Sequence, residues 1–572
     1  MNMKYNLYKT ISIISAIMVF INGCKEDLDL KPIARDTEVA YYKDSTSIDE
    51  TIVASYAQLS ARDVFDKEYS LVIGSFQSDD VEAGGETIND YPIAQHYDQL
   101  LYSKIDNVPG EAIWGYCYKG CRLANTAIEK MEVIKDALEP SLYNKRKGEA
   151  KFLLAFYHFT LLQTFGGVPI ADKVITPSNF YKPRNSIKEV LDFCSQNLKE
   201  AADLLPVTND NVGRATKGAA LALLGKVLLY ESSYAKNYPD DDRFVGCKER
   251  WQESYDAFKT VINLGKYNLV GENGERFNSW RSTTPDGKVD GFRWLFTVDG
   301  DNSNEAIFEI QSVNDGLGWG NTRGNVLTVY TTCRFYLTTD DKQSSSFGWS
   351  FNCPTDALIN AFRNEDPKTT NRHTSSLPIG SETLDPRFKT TVGRTGDSIY
   401  VGPTNGGWRP MILDNVPNNT IGRKFECGWD EYWKDGQFSQ GPFNVRLIRF
   451  ADVLLMAAEA AFMLNKKSEA LELVNRVRTR ARMCGNTGYP QNLTEISFED
   501  IIHERRLELA LEPFRFFDLV RWRLAEHYLD GTDLKGIPIT LDFIPGKHEF
   551  SPIPDKEVIL SKGALKQYPA WE

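Results

Sequence analysis

Apolar residues recur every three or four positions along most of the N-terminal half of the chain, the period of helices that bury one face. Trp114, Cys117, Cys121, Ala124, Ile128 and Met131 hold that spacing. Ile187, Val190, Leu191, Cys194, Leu198, Ala201 and Leu205 repeat it, with Ser186 and Glu189 spaced as a capping box ahead of the run and Pro206 as its stop. Ser47 and Glu50 have the same box spacing around Ile48, Ile52, Tyr56 and Leu59, which predicts a helix capped at Ser47. Stretches 149–165 and 216–232 are apolar on more than one face and predict helices enclosed by other helices. Gly166-Gly167-Val168-Pro169 predicts the end of the first.

Several of these helices read as hairpins with small residues in their seams. Leu221 to Tyr230 pairs with Trp251, Tyr255, Ala257, Phe258, Ile262 and Tyr267; Ala457, Ala458, Ala460 and Ala461 pair with Ala470, Val474 and Val477. Small side chains let helices approach closely, and one hairpin cannot bury its face alone, so several must stack. The predicted fold class is mostly α, a tetratricopeptide-like helix-pair scaffold carrying a large irregular, loop-rich region with short strands.

That irregular region is residues 271–441, which hold 20 of the 41 glycines and seven of the 11 tryptophans. Glycine and proline at this density predict loops and short strands, such as Glu305 to Ile310, on the helical support. Loops on a rigid scaffold commonly carry binding, so this segment is the candidate ligand face. The chain divides accordingly into 1–23, 24–46, 47–270, 271–441 and 442–572.

Composition narrows the class. The 572 residues are 42% hydrophobic and 25% charged, as in folded proteins, and 78 acids against 66 bases exclude the basic footprint that nucleic acid requires. Residues 1–23 have Lys4 and Lys9, no acid, and a short apolar run from Ile11 to Ile21, the pattern of a secretory signal peptide. Ile21-Asn22-Gly23-Cys24 resembles a bacterial lipobox, with Ile21 where leucine is usual, and makes Cys24 the expected lipidation site. Lys25-Glu26-Asp27 resembles the signal that sends some lipoproteins to the outer face of the outer membrane. Residues 24–46 are then a lipidated tether. The other eight cysteines are thinly spread and do not form a disulfide scaffold, although this compartment permits a few bridges; Cys117 and Cys121 read as buried thiols on one helix face.

The C-terminal runs Arg449 to Ala460, Ala470 to Arg478, Glu504-Arg505 with Glu508 and Glu512, and Arg515-Phe516-Phe517-Asp518-Leu519-Val520-Arg521-Trp522 resemble the SusD/RagB family. Glu512-Pro513 stands where that family usually has Glu-Gly. Trp114 with Tyr118 and Asn125, Gly148 to Tyr157, Phe165 to Pro169, Gly348-Trp349, Pro354-Thr355 and Asp385-Pro386-Arg387 extend the match over nearly the whole mature chain. The resemblance implies a surface-exposed outer-membrane lipoprotein that captures oligosaccharide or polysaccharide and sits as a lid on a SusC-like TonB-dependent transporter. RagB-like members serve peptide uptake instead. It implies no catalytic residues; Glu504, Glu508 and Glu512 with Arg505, Arg515 and Arg521 recur at near-helical spacing, so the charged C-terminal signature reads as a partly buried ion-pair network tying the last long helix to the scaffold.

Glycan capture needs flat aromatic faces for sugar rings and a few fixed polar groups for hydroxyls. The candidates are Trp280, Trp294, Trp319, Tyr330 and Arg323, with Asp80 added from the family's N-terminal ligand loop. Trp114, Trp251 and Trp522 fall on helical faces and read as core. No metal site is predicted: the six histidines form no zinc motif. Asp299 to Glu305 imitates the opening of a calcium loop, but Asn304 replaces the required glycine and Ile310 the closing acid, so an ordinary turn is expected and no cofactor. A lipid-anchored glycoside hydrolase is the rival class, because carboxylate pairs are defined in space and not in sequence.

Overall fold

The computed structural model describes residues 41–572 except 62, 88, 210, 314–322, 346–347, 364–384, 403–404, 429–430, 432, 435–436, 439, 486–487 and 533–539. The signal peptide, Cys24, the 25–27 signal and Trp319 lie outside the described residues.

Six helices follow in order: α1 (Ser45–Tyr56), α2 (Val108–Val133), α3 (Pro140–Phe165), α4 (Ile187–Leu204), α5 (Lys217–Asn237) and α6 (Trp251–Asn263). Each packs on the next, α1 on α2 included, although a π-helix (Val64–Phe76) and shorter elements lie between those two in the chain. Later come α7 (Phe450–Met463), α8 (Lys467–Gly485), α9 (Phe498–Leu509) and α10 (Arg515–Arg521). Helix α6 packs directly against α7, and α7 against α8, so the stack continues across the chain. The irregular region is therefore inserted between two neighbouring helices of one stack. The fold is the mostly α, tetratricopeptide-like scaffold that the hydrophobic period predicts.

Seams are tight where glycine sits. A Cβ on Gly225 of α5 would lie 2.5 Å from the Phe258 ring of α6, and one on Gly120 of α2 would lie 2.3 Å from the Tyr157 ring of α3. Tyr157 also donates to the Ser55 carbonyl of α1 at 2.6 Å, and Ser55 donates to the Gly120 carbonyl at 3.0 Å. Trp114, Trp251 and Trp522 are buried, as are Cys117 and Cys121, and all eight described cysteines are free thiols. Among the described residues no helix is long and apolar enough to cross a membrane.

Two local expectations change. The Ser186/Glu189 capping box forms with both bonds, but α1 begins at Ser45 and is capped by Asp44, whose carboxylate accepts from Thr46 and Ser47. Glu50 instead accepts from the Tyr41 hydroxyl at 2.6 Å, so the Ser47 spacing was coincidental. Nor do Glu504, Glu508 and Glu512 share one helix: α9 ends at Leu509, Leu511 takes a left-handed backbone, and Glu512 lies in the turn before α10.

The network those acids form is nonetheless the predicted one. Strand β1 (Ala306–Ile310), within the irregular region, pairs antiparallel with β2 (Val445–Arg449), the strand that leaves it. Arg449, at the end of that ladder, binds Glu305, Glu508 and Glu512 at 2.5–2.9 Å. Arg387 binds Asp385, Glu504 and Glu508 at 2.7–2.9 Å. Burial alone would raise the Glu508 carboxyl, but Arg480, Arg449 and Arg387 outweigh it and hold it well below the usual range. Arg521 clips α10 to α7 through Glu459, which also accepts from the Trp522 indole at 2.9 Å. These carboxylates are buried against guanidinium groups and serve as structure.

Candidate ligand-binding face

A short hairpin in the irregular region builds an aromatic platform. Strand β3 (Ser398–Tyr400) pairs with β4 (Trp408–Ile412), placing Trp408 opposite Tyr400 and Arg409 opposite Ile399. Alternation along the strands sends Ile399 and Met411 into a small core with Cys333, Tyr336, Cys353, Val401, Leu413, Val416 and Ile421. Tyr400 and Trp408 therefore face outward and stay half-buried. Their ring centroids are 5.5 Å apart.

Trp280 completes the platform from another loop. Its ring lies 6.4 Å from Trp408 at 23° and 6.3 Å from Tyr400. The neighbouring Arg281 is buried and donates to the carbonyls of Arg423 and Glu426, so the loop is pinned from inside. The Arg281 guanidinium also sits 5.3 Å from the Trp280 ring. Gly428 lets the chain pass the indole, since a Cβ there would come within 3.0 Å of it. Glu431 stands beside Trp280 with its pKa raised, chiefly by burial. The outcome is three half-exposed rings on supported backbone with a carboxyl at their edge, an arrangement suited to stacking against a flat apolar face.

The remaining sequence candidates are scattered. Trp294 is half-buried and stacks on Phe277 at 4.4 Å and 21°, on a cleft apart from the triad. Tyr330 is 7% exposed and packed against Tyr91, Trp349 and Phe351, with the Lys67 ammonium over its ring at 5.6 Å. Its faces are thus occupied by protein. Arg323 is exposed, and its carbonyl accepts from Val313 at 2.8 Å. Asp80 is corrected: it is 2% exposed and bound by Arg506 at 2.6 Å, next to Asp79, which Arg506 and Arg515 also hold. An acid so enclosed braces the N-terminal segment against α9 and is closed to a ligand.

The calcium-like turn is likewise taken up by protein. Asp301 accepts from Asn444 and pairs with Arg446 at 3.0 Å, and Glu305 pairs with Arg449 and Arg480. Among the described residues no group of three or more metal-binding side chains converges.

Comparison with known families settles the lineage. The SusD family model matches residues 304–571, and a second model, described as starch-binding associating with outer membrane, matches residues 29–229. The chain belongs to the SusD/RagB family. A laminarin-binding SusD-like protein of solved structure is 26% identical, with a TM-score of 0.68 over 92% of this chain and 100% of that one. A SusD-like protein of Bacteroides ovatus is 24% identical over 91% of this chain and 83% of its own length. A SusD-like protein of Formosa agariphila is 23% identical over 91% of this chain and 92% of its own.

Tyr400 and Trp408 are the platform residues that the sequence candidates omit. The signal was present: Ser398-Ile399-Tyr400 and Trp408-Arg409-Pro410-Met411-Ile412 flank a turn with Gly402, Gly406 and Gly407. Pro410 obscured it, because proline within a run argues against a strand.

Proposed function

We propose that this SusD-family chain is a non-catalytic glycan-binding lipoprotein. It is anchored in the outer membrane through Cys24, faces the exterior, and passes captured oligosaccharide or polysaccharide to a SusC-like TonB-dependent transporter. The observation that carries the reading is the triad of Trp280, Tyr400 and Trp408. Aromatic faces stack on the apolar faces of sugar rings, and three rings on one face can hold consecutive units of a polymer. Laminarin, which the 26%-identical relative is described as binding, is the first ligand to try.

The non-catalytic half of the reading is supported by the fate of the acids. The carboxylates of the C-terminal signature are locked in arginine pairs, where they can neither move a proton nor attack a sugar carbon. The test is affinity electrophoresis through gels containing single polysaccharides, with a reducing-end assay on the same samples. Retardation without new reducing ends is the expected result. Binding of peptides with no glycan retarded would support the RagB-like alternative, and release of reducing ends the hydrolase.

A further inference from the structure

The cleft beside Trp294 is a separate feature from the triad, none of whose residues lines it. It measures about 540 Å³, within the range of roughly 300–1,000 Å³ typical of small-ligand sites. One wall is the stacked pair Phe277 and Trp294. Phe277 lies on a strand, Arg276–Asn278, paired with Lys288–Asp290; Trp294 lies on a one-turn helix, Gly291–Leu295, whose Phe292 and Leu295 are buried. The opposite wall is the 268–275 turn together with Ser303 and Asn304.

The two walls are joined by glycine. A Cβ on Gly291 would fall 2.5 Å from the Gly271 Cα, and one on Gly271 would fall 2.8 Å from the Gly291 Cα, so the backbones touch and fix the width of the cleft. Glu272 is held by a bidentate pair with Arg476 at 2.9–3.0 Å, and Asn273 is held by Glu275 at 2.9 Å. The Asn268 and Asn304 main chains bond to each other at 3.0 Å, which sets their amide side chains at the mouth.

We infer that this cleft is a second sugar-binding site, which takes a hexose unit of a neutral glycan with its apolar face on Trp294. This rests on the glycan-binding reading of the chain. The exposed Asn268 and Asn304 amides supply the donors and acceptors that hydroxyls need, and the Trp294 ring supplies the stacking surface. Glu275 adds negative charge at the rim, which disfavours uronate and sulfate units and selects neutral ones. Two sites on one chain raise the affinity for a polymer far above that for a short fragment, because the second contact becomes intramolecular.

Isothermal titration of the mature chain with laminarihexaose, cellohexaose and maltohexaose tests the inference. A stoichiometry of two for one of them is expected, falling to one in Trp294→Ala and to one in Trp408→Ala. Asn304→Ala, at an exposed position that leaves the fold intact, is expected to weaken only the site lost in Trp294→Ala, by about tenfold. A stoichiometry of one in the wild type that survives Trp294→Ala overturns the second site and leaves the triad standing. Failure of all three oligosaccharides to bind contradicts both the site and the glycan reading.

Discussion

Arg449 grips Glu512 with two parallel hydrogen bonds, both 2.8 Å long, from Nε and Nη2. The pair joins the last residue of the strand leaving the irregular region to the turn between α9 and α10. It is also where Lys424 arrives, its ammonium 2.8 Å from the same carboxylate. Three segments far apart in sequence are thus fastened at one buried point. Removing one partner of a buried pair typically costs about 3–5 kcal/mol, because the other is left charged and unpaired. Glu512→Ala should therefore lower the free energy of unfolding by about that amount in urea titration. An effect under about 1 kcal/mol, the level of an exposed pair, would show that the network is not structural.

Asp80 supplies a cleaner separation of structure from binding. It was a ligand candidate by position along the chain, yet Arg506 encloses it. Asp80→Ala is expected to destabilise the protein while leaving the dissociation constant for a bound glycan unchanged. A glycan affinity that fell with unaltered stability would return Asp80 to the binding face.

The helix seams make a steric prediction. Gly225→Val places methyl groups where Phe258 already lies, and overpacking of this kind costs about 1–3 kcal/mol. The melting temperature should fall, and the double variant with Phe258→Ala should lose less than the sum of the two single losses, because the truncated ring gives the valine room. Two losses that simply added would show that Gly225 and Phe258 do not meet as described.

His158 gives the fold a pH dependence. It is buried, its Nδ1–H donates to the Leu154 carbonyl at 2.7 Å, and its Nε2 accepts from the Ala171 N–H at 3.0 Å. That neutral tautomer has no room for a second proton, and burial lowers the pKa to about 4. A folded value below the unfolded one means the stabilisation is complete above pH 6.5 and is lost as pH falls toward 4, by up to roughly 3 kcal/mol. His503 and His548 are depressed to about 4 in the same way, again chiefly by burial. Histidine resonances followed by NMR between pH 7 and 4.5 should show His158 still neutral where exposed histidines have titrated, while chemical denaturation over that range loses stability. A His158 midpoint near 6.5 would refute the burial argument.

The scaffold was legible because its signal is local and repeated. Ala, Gly and Cys in the seams of α2, α5 and α7 announce close helix contact, and the 3–4 spacing names the buried face. The irregular region resisted for the opposite reason. Trp280 meets Trp408 only because Arg281 is anchored on carbonyls more than 140 residues further along, and nothing in the spacing of either residue records that. Trp280 stands among polar residues and stays half-open, whereas Tyr330 follows Val326, Leu327 and Val329 and is packed beneath Lys67. Glu512 was placed in the right network for partly the wrong reason, since the turn at Leu511, and not helical spacing, brings it to Arg449.

The most direct test compares the wild type with the Trp280→Ala/Trp408→Ala double variant in affinity gels containing laminarin and other neutral polysaccharides, each lane also assayed for reducing ends. The account predicts retardation of the wild type by one glycan, no new reducing ends, and at least about tenfold weaker retardation of the variant, consistent with loss of two stacking contacts. Equal retardation of the two proteins, or release of reducing ends by either, would contradict it.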